Sequence, residues 1–225
     1  MKQLSNYINE WKINGKSIEN IDKEDFSKCF IYELDKEDYI HVFGYYEGTY
    51  WKPYDKYRNN VYINGKHEEL DDACETEKLF PPGQYKVYIK GINEVTTCND
   101  MFLCCEQLVS VPLFETNNVK DFNNMFNGCS KLKHVPKLNL SSARLTYWMF
   151  GDCLALESVP KFDLHNCEDI SSMFANCENL KDVPLFTLKD NIYSMYCLFS
   201  GCSNLSEKTK EDWSNVYNFN SQDKR

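Results

Sequence analysis

Cysteine is the residue type that offers this chain the widest range of chemistry. Eleven cysteines occur among its 225 residues, and thiols can pair as disulfides or bind zinc. A structural zinc site needs cysteine pairs two to four residues apart, with a second pair of cysteines or histidines at finger-like spacing. The chain contains no Cys-x-x-Cys. We therefore expect no metal and no cofactor.

The histidines point away from catalysis. His41, His67, His134 and His165 lie in different parts of the chain, and none has a companion at metal-ligand spacing. The chain also lacks the phosphate-binding, dinucleotide-binding, zinc-protease and serine-hydrolase motifs. We predict that the protein is not an enzyme and has no catalytic residues.

Five of the cysteines share one position of a repeat that organises the second half of the chain. The frame Met-Phe-x-x-Cys-x-x-Leu-x-x-Val-Pro starts at Met101 and returns at Met125, Met149 and Met173, a period of 24 residues, and a diverged fifth copy starts at Leu198. One unit cannot enclose its own apolar side chains, but stacked units can. The predicted core columns are Phe102, Cys105, Leu108, Val111, Phe126, Cys129, Leu132, Val135, Phe150, Cys153, Leu156, Val159, Phe174, Cys177, Leu180, Val183, Phe199, Cys202 and Leu205.

The repeated cysteines are most simply interpreted as a column of buried thiols. Free cysteine packs as a small hydrophobic residue. Disulfides between neighbouring copies would need a geometry and a redox state that the spacing does not supply.

A repeat of this length predicts a fold class. Units of 20 to 29 residues with short strands are typical of leucine-rich repeats. We interpret Leu-x-x-Val-Pro-x-Phe as a strand and its exit, and Met-Phe-x-x-Cys as the return turn. The prediction is an α+β repeat protein: a leucine-rich-repeat solenoid of about five 24-residue coils, with a small antiparallel β-domain at the N-terminus and a C-terminal capping helix.

The first half of the chain predicts the β-domain. Short β-branched and aromatic runs occur at 30–32, 39–43, 61–63 and 85–89, which indicates an antiparallel sheet or sandwich. Asn64-Gly65 is typical of a type I′ hairpin turn. The predicted segments are 1–15, a short amphipathic helix and candidate targeting segment; 16–91, the β-domain; 92–205, the repeats; 206–217, the capping helix; and 218–225, a frayed tail.

Two columns of the repeat change residue type from copy to copy. Such variation fits a strip that faces a ligand, and it also fits plain exposure to solvent. The candidate binding residues are Val109, Lys133, Glu157 and Lys181 in one column and Ser110, His134, Ser158 and Asp182 in the next.

A stretch rich in tyrosine and tryptophan offers a second candidate surface. Tyr50, Trp51 and Tyr54 could form an aromatic platform for sugars or peptides. The alternative, which we favour, is that these residues are the alternating faces of a hairpin.

Charge and hydropathy exclude two classes of partner. The chain has 34 acidic and 25 basic residues, a net charge of −9, which disfavours binding to a phosphate backbone. No apolar stretch reaches the length of a membrane-spanning helix, and the first residues lack the apolar region of a secretory signal. We expect no nucleic acid, no membrane insertion and a cytoplasmic location as synthesised; the oligomeric state is left open.

The repeat frame resembles the BspA-like leucine-rich-repeat family, bacterial surface proteins typified by Met-Phe-x-Gly-Cys-Ser-x-Leu. Residues 125–132 and 199–205 match that motif most closely, and the resemblance covers about residues 92–217. It implies a recognition protein that binds a protein or glycan partner, in the manner of an adhesin. This chain departs from the family because it lacks a signal peptide, a lipobox and an anchor. A surface location would therefore need a non-standard route.

The first ten residues, 1–10, carry a second resemblance. They are similar to the N-terminal targeting segments of internal head proteins in some tailed bacteriophages, in which a protease cuts after an aliphatic-x-Glu site. Ile8-Asn9-Glu10 would be that site, with cleavage after Glu10. The resemblance implies an alternative function, a virion-associated structural or packaged protein.

Overall fold

The structure, a computed structural model, describes residues 28–46, 49–50, 54–189, 192 and 194–216. In chain order the strands and α-helices are β1 (Phe30–Leu34), β2 (Tyr45–Tyr46), β3 (Thr49–Tyr50), α1 (Tyr54–Tyr57), β4 (Val61–Ile63), β5 (Lys66–Glu68), β6 (Gly83–Ile89), β7 (Leu108–Ser110), β8 (Asp163–Leu164), β9 (Thr187–Leu188) and α2 (Glu207–Ser214).

Most of the strand residues belong to one antiparallel sheet. Its five strands lie in the order β5-β4-β6-β1-β7, and every neighbouring pair is antiparallel. Strand β1 alternates buried and half-buried residues, with Phe30, Tyr32 and Leu34 facing the core, as the two-residue period of a strand requires. The predicted run at 39–43 forms no strand; its contacts are isolated pairs such as His41 with Glu75.

The hairpin β4–β5 follows directly from its two turn residues. Asn64 and Gly65 both have positive φ, at 49° and 79°. A type I′ turn requires positive φ at both central positions, and asparagine followed by glycine meets that requirement at the lowest steric cost. The turn sets the register in which Ile63 faces Lys66.

The predicted fold class, an α+β repeat protein built on a leucine-rich-repeat solenoid, is wrong. The strands of the described residues lie mainly in the antiparallel sheet. Within the repeats, β7 joins that sheet, and the described part of the chain adds only the two-residue parallel pair β8–β9. The repeats are otherwise successive turns with isolated bridges.

Two backbone features shape each repeat. Two positions have positive φ, such as Asn124 and Gly128 in the second copy; both lie in the predicted return turn, where the left-handed region keeps the chain from extending. The predicted strand that follows contains the proline after each repeated valine, which lacks the N–H that a strand would donate. Strand β7 ends at Ser110, before that proline in the first copy.

Phenylalanine rings connect successive repeats. The rings of Phe102, Phe126, Phe150 and Phe174 lie with centroids 5.5 Å apart at each step, and their planes are within 11° of parallel. Backbone bonds follow the same direction: the Phe126 N–H donates to the Met149 carbonyl at 2.9 Å. Aromatic contacts and hydrogen bonds therefore join each copy to the next.

The sheet and the repeats share one hydrophobic core. Phe43 stacks on Phe102 at 6.2 Å and so extends the row of phenylalanines into the N-terminal part. The next residue, Gly44, donates its N–H to the Met101 carbonyl at 2.9 Å. A Cβ at Gly44 would lie 2.0 Å from the carbonyl oxygen of Asp100. Only glycine permits this approach of the two backbones.

Helix α2 covers the other end of the row. The Ser206 side chain accepts a hydrogen bond from the Thr209 N–H and caps the helix. Trp213 is fully buried, contacts the ring of Phe199 edge-on at 5.5 Å, and donates from Nε1 to the Val183 carbonyl. None of the helices in the described ranges has the length and apolar character to cross a membrane.

Candidate functional site

The repeated cysteines form hydrogen bonds that the sequence does not reveal. Four of the five thiols in the column donate to the phenylalanine carbonyl of the preceding repeat, as Cys153 does to Phe126 at 3.1 Å and Cys177 does to Phe150 at 2.9 Å. Cys129 and Cys202 make the same bond. None of the eleven cysteines, all of which the structure describes, forms a disulfide bond. The column is therefore structural: it ties each repeat to the one before it.

Burial makes these thiols poor nucleophiles. Desolvation raises the pKa of Cys129, Cys153 and Cys177 well above the ordinary value for a thiol, because the thiolate has no water or cation to stabilise it. A reactive cysteine needs a lowered pKa and access to solvent. The geometry gives this column neither property.

The predicted core columns are buried throughout. All nineteen predicted core residues are at most 9% exposed, so the repeat frame supplies the interior. Most of the residues between the columns are half-buried or exposed and form the surface.

The structure brings the predicted binding columns together in space. Ser110 pairs with His134, and Ser158 pairs with Asp182, as parallel bridges between neighbouring repeats. The residues of the second to fourth copies are exposed, whereas Val109 and Ser110 are half-buried. The eight residues, which we call the variable strip, are Val109, Ser110, Lys133, His134, Glu157, Ser158, Lys181 and Asp182.

One end of the variable strip carries most of its side-chain contacts. Lys181 Nζ lies 3.3 Å from a Glu157 carboxylate oxygen, and both side chains are more than half exposed. The Ser206 hydroxyl donates to Asp182 at 3.0 Å, which connects the strip to the cap of α2. The other end, with Lys133 and His134, has no ion pair among the described residues.

Several predicted features fall outside the described residues. The N-terminal helix of 1–15, the cleavage site at Glu10, the platform residue Trp51 and the tail of 218–225 are among them. Tyr50 lies in β3 and Tyr54 begins α1, but the side-chain positions on which a platform depends are not described. The aromatic platform stays a prediction.

The structure contains an exposed aromatic cluster that the sequence reasoning missed. Tyr147 is 43% exposed and meets the half-buried Trp148 edge-on, at 6.3 Å between ring centroids. Leu145, 36% exposed, lies two residues earlier, with the fully buried Thr146 between them. We call Leu145, Tyr147 and Trp148 the aromatic patch. The signal was available, because Trp148 occupies a position at which other repeats have Asp100, Asn124 or Ser172.

His165 and His41 each contact a carboxylate. His165 Nδ1 lies 2.8 Å from Asp163, and hydrogen bonding to His165 lowers the pKa of that carboxyl group. His41 Nε2 lies 2.8 Å from Glu75, in the N-terminal part. Across the part of the chain that the structure describes, no three histidine, cysteine or acidic residues converge as metal ligands.

Comparison with known proteins identifies the family from the repeat region. No curated protein and no solved structure matches the chain. The family model described as Mycoplasma protein of unknown function, DUF285, matches residues 96–213, which include all the repeat copies and most of α2. That match covers more than half of the chain, and the protein therefore belongs to the DUF285 family.

Proposed function

We propose that this protein is a non-enzymatic recognition protein, related to the BspA-like surface proteins, that binds a protein or glycan partner through the variable strip. One observation carries the proposal. The constant positions of each repeat are buried, and the strip positions of the second to fourth copies are exposed and differ in residue type from copy to copy.

The strip has the properties of a recognition surface. Backbone bridges such as Ser158 with Asp182 hold its rows in fixed register, so the backbone needs little ordering when a partner binds. The side chains include cationic, anionic, hydroxyl and imidazole groups. Such a set forms hydrogen bonds and ion pairs with a polar partner and provides specificity.

Family membership gives a second line of support. The DUF285 model matches the region that contains the repeats, and the Met-Phe-x-x-Cys frame resembles that of BspA-like proteins. The proposal extends that resemblance from the sequence motif to the binding role.

A binding panel tests the proposal. The full chain is applied to an array of glycans and purified extracellular proteins, together with the variant Lys133→Ser/His134→Ser/Glu157→Ser. We expect a partner whose affinity falls at least tenfold in the variant, as is usual when central contacts are lost.

The control variant is Lys208→Ser/Glu211→Ser, which removes one cation and one anion from the exposed side of α2. It should bind as the parent does. Equal binding by the strip variant, or catalytic turnover that depends on strip residues, would overturn the proposal.

The bacteriophage alternative rests on residues 1–10, which lie outside the described part of the chain. It predicts a mature protein that starts at Trp11 in released particles. Mass spectrometry of the N-terminal peptide measures that start directly, and an intact N-terminus in particles would contradict it.

A further inference from the structure

Trp148 stands in a backbone conformation that its side chain disfavours. The equivalent positions of all five repeats have positive φ: Asp100, Asn124, Trp148, Ser172 and Cys197, with Trp148 at 54°. Asparagine and aspartate tolerate this region, whereas a bulky residue there is a genuine outlier. Such outliers cluster at functional sites because they persist only where surrounding structure supports them.

Gly151 leaves the space that the Trp148 ring occupies. A Cβ at position 151 would lie 2.2 Å from Cε3 of Trp148, so the indole ring occupies the space that a side chain would take. The other repeats have Leu103, Asn127, Ala175 and Ser200 at this position. The third repeat therefore departs from its neighbours at two positions that depend on each other, and the result is an aromatic ring held near the surface.

Carboxylates flank this aromatic patch. Leu145 pairs in parallel bridges with Asp121 on one side and Asp169 on the other. Each of these aspartates accepts a backbone N–H two residues later, from Asn123 and from Ser171, which fixes its carboxylate beside the patch. Among the described residues neither aspartate has an ion-pair partner.

The neighbouring charges leave the surroundings of the patch acidic. Arg144 is paired with Glu168 at 2.9 Å, so these two charges offset each other. With that pair offset, the remaining charges around the patch are the cation of Lys120 and the carboxylates of Asp121 and Asp169. The whole chain carries a net charge of −9. An exposed aromatic ring with carboxylates around it favours a cationic partner, because the ring quadrupole and the carboxylates attract the same charge.

We propose that the aromatic patch of Leu145, Tyr147 and Trp148 is a docking site for a basic peptide segment, whose arginine or lysine side chain lies over the rings between Asp121 and Asp169. This site is separate from the variable strip and goes beyond the proposed function. Its composition also fits the centre of a protein interface, where tryptophan, tyrosine and arginine contribute most of the binding energy.

The test uses the full chain and a fluorescein-labelled peptide in which three arginines alternate with glycines. Matched peptides replace arginine with glutamine or glutamate, and an unlabelled maltotetraose serves as the glycan competitor. We expect fluorescence anisotropy to report binding of the arginine peptide and of neither matched peptide, with no competition by the saccharide.

Two variants of the patch locate the site. Trp148→Asn introduces the residue type that Asn124 has at the same position, so the fold is retained, and affinity should fall about tenfold through loss of the cation–ring contact. Gly151→Ala should weaken binding in the parent but have no further effect in Trp148→Asn. Tyr39→Ser removes a similarly exposed tyrosine from the N-terminal part and should leave affinity unchanged.

The outcomes separate the proposal from its alternatives. Loss of binding in Asp121→Asn/Asp169→Asn, with thermal stability retained, supports the cationic partner. Equal affinity of the parent and Trp148→Asn overturns it, as does binding of maltotetraose in place of the peptide. No detectable binding of the arginine peptide at about 1 mM, a concentration at which even a weak cation–ring contact should be populated, also overturns it.

Discussion

The antiparallel sheet and the repeat region reach a buried core by different routes. In the sheet, alternate residues of β1 face inward and the pairing partners are distant in sequence, as Phe30 pairs with Val87. In the repeats, a residue type contacts its own kind in the neighbouring copy, as Phe126 contacts Phe150. The comparison shows that a two-residue period specifies strand conformation, whereas a 24-residue period specifies stacking and leaves the local conformation open.

The largest expected effect comes from interrupting the row of phenylalanines. Phe150 is fully buried and stacks on Phe126, Phe162 and Phe174. Phe150→Ala should lower the free energy of unfolding by about 3–5 kcal/mol, the usual result of truncating a core aromatic residue. Urea denaturation measures it. Leu154→Ala, at a side chain 40% exposed, is the control and should cost less than about 1 kcal/mol.

A loss below about 1 kcal/mol in Phe150→Ala would mean that the repeats tolerate a cavity that a packed core does not. The row of phenylalanines would then contribute little to stability. Stacking between like residues could no longer be what stabilises the repeats, in contrast to the sheet.

The next effect is at the junction between the two regions. The methyl group of Gly44→Ala would clash with the Asp100 carbonyl oxygen, and overpacking of this kind costs about 1–3 kcal/mol. Hydrogen exchange should accelerate more at the Glu33 amide, which bonds to Gln107 across the junction, than at the Phe126 amide within the repeats.

Gly91→Ala is the control variant for Gly44→Ala. There an added Cβ meets only the Tyr57 ring at 3.8 Å, and φ is +82°, so the change costs about 1 kcal/mol through backbone strain. Equal acceleration at both amides in Gly44→Ala would indicate that the sheet and the repeats unfold as one unit.

Alkaline pH should weaken the repeats more than the sheet. Burial raises the pKa of Cys153 above the ordinary value of 9.0, so its thiol ionises more readily in the unfolded state. The stability that it contributes is complete below pH 9 and declines as pH rises toward the folded-state pKa. Between pH 9 and pH 10 the decline is about 1 kcal/mol for each such thiol.

Cys153→Ser removes one of these thiols and should reduce the loss of stability over that pH interval by about 1 kcal/mol. Chemical denaturation at both pH values measures the difference. Leu154→Ala keeps every thiol and should show the parent's pH dependence; the same dependence in Cys153→Ser would contradict a buried thiol column.

The smallest effect is expected on the variable strip. Lys181 and Glu157 form an exposed ion pair, and such pairs contribute between about 0 and 1 kcal/mol. Lys181→Ala should therefore change the thermal midpoint little, while the fold remains intact. A loss above about 1 kcal/mol would mean that the strip is structural, which would weaken its assignment to partner recognition.

Sequence patterns predict some of these features for clear physical reasons. The strand at Phe30 follows from its run of aromatic and β-branched residues, and the hairpin at Asn64-Gly65 follows from the positive φ that its turn requires. The burial of Phe150 and Cys153 follows from a column that never becomes polar. Each inference depends on one local rule that tertiary structure does not oppose.

Other features lay beyond that reasoning. The predicted strands of the repeats contain a proline after each repeated valine, which lacks the N–H that a strand would donate. The positive φ of Trp148 follows from no residue-type rule. The aromatic patch depends on Gly151, whose importance is visible only when the ring position is known. The repeat columns identify the residues that the copies share. The aromatic patch instead depends on Trp148 and Gly151, two positions at which the third copy differs from the others.

The thiol-to-carbonyl bonds have a consequence for how such a protein can change its length. A middle repeat gives a thiol hydrogen bond to the copy before it, as Cys153 does to Phe126, and accepts one from the copy after it, as Phe150 does from Cys177. The two ends differ, since one meets Gly44 and the other meets Trp213. A duplication or deletion of one 24-codon segment within the array would preserve every junction, whereas a copy appended beyond α2 would meet no complementary surface.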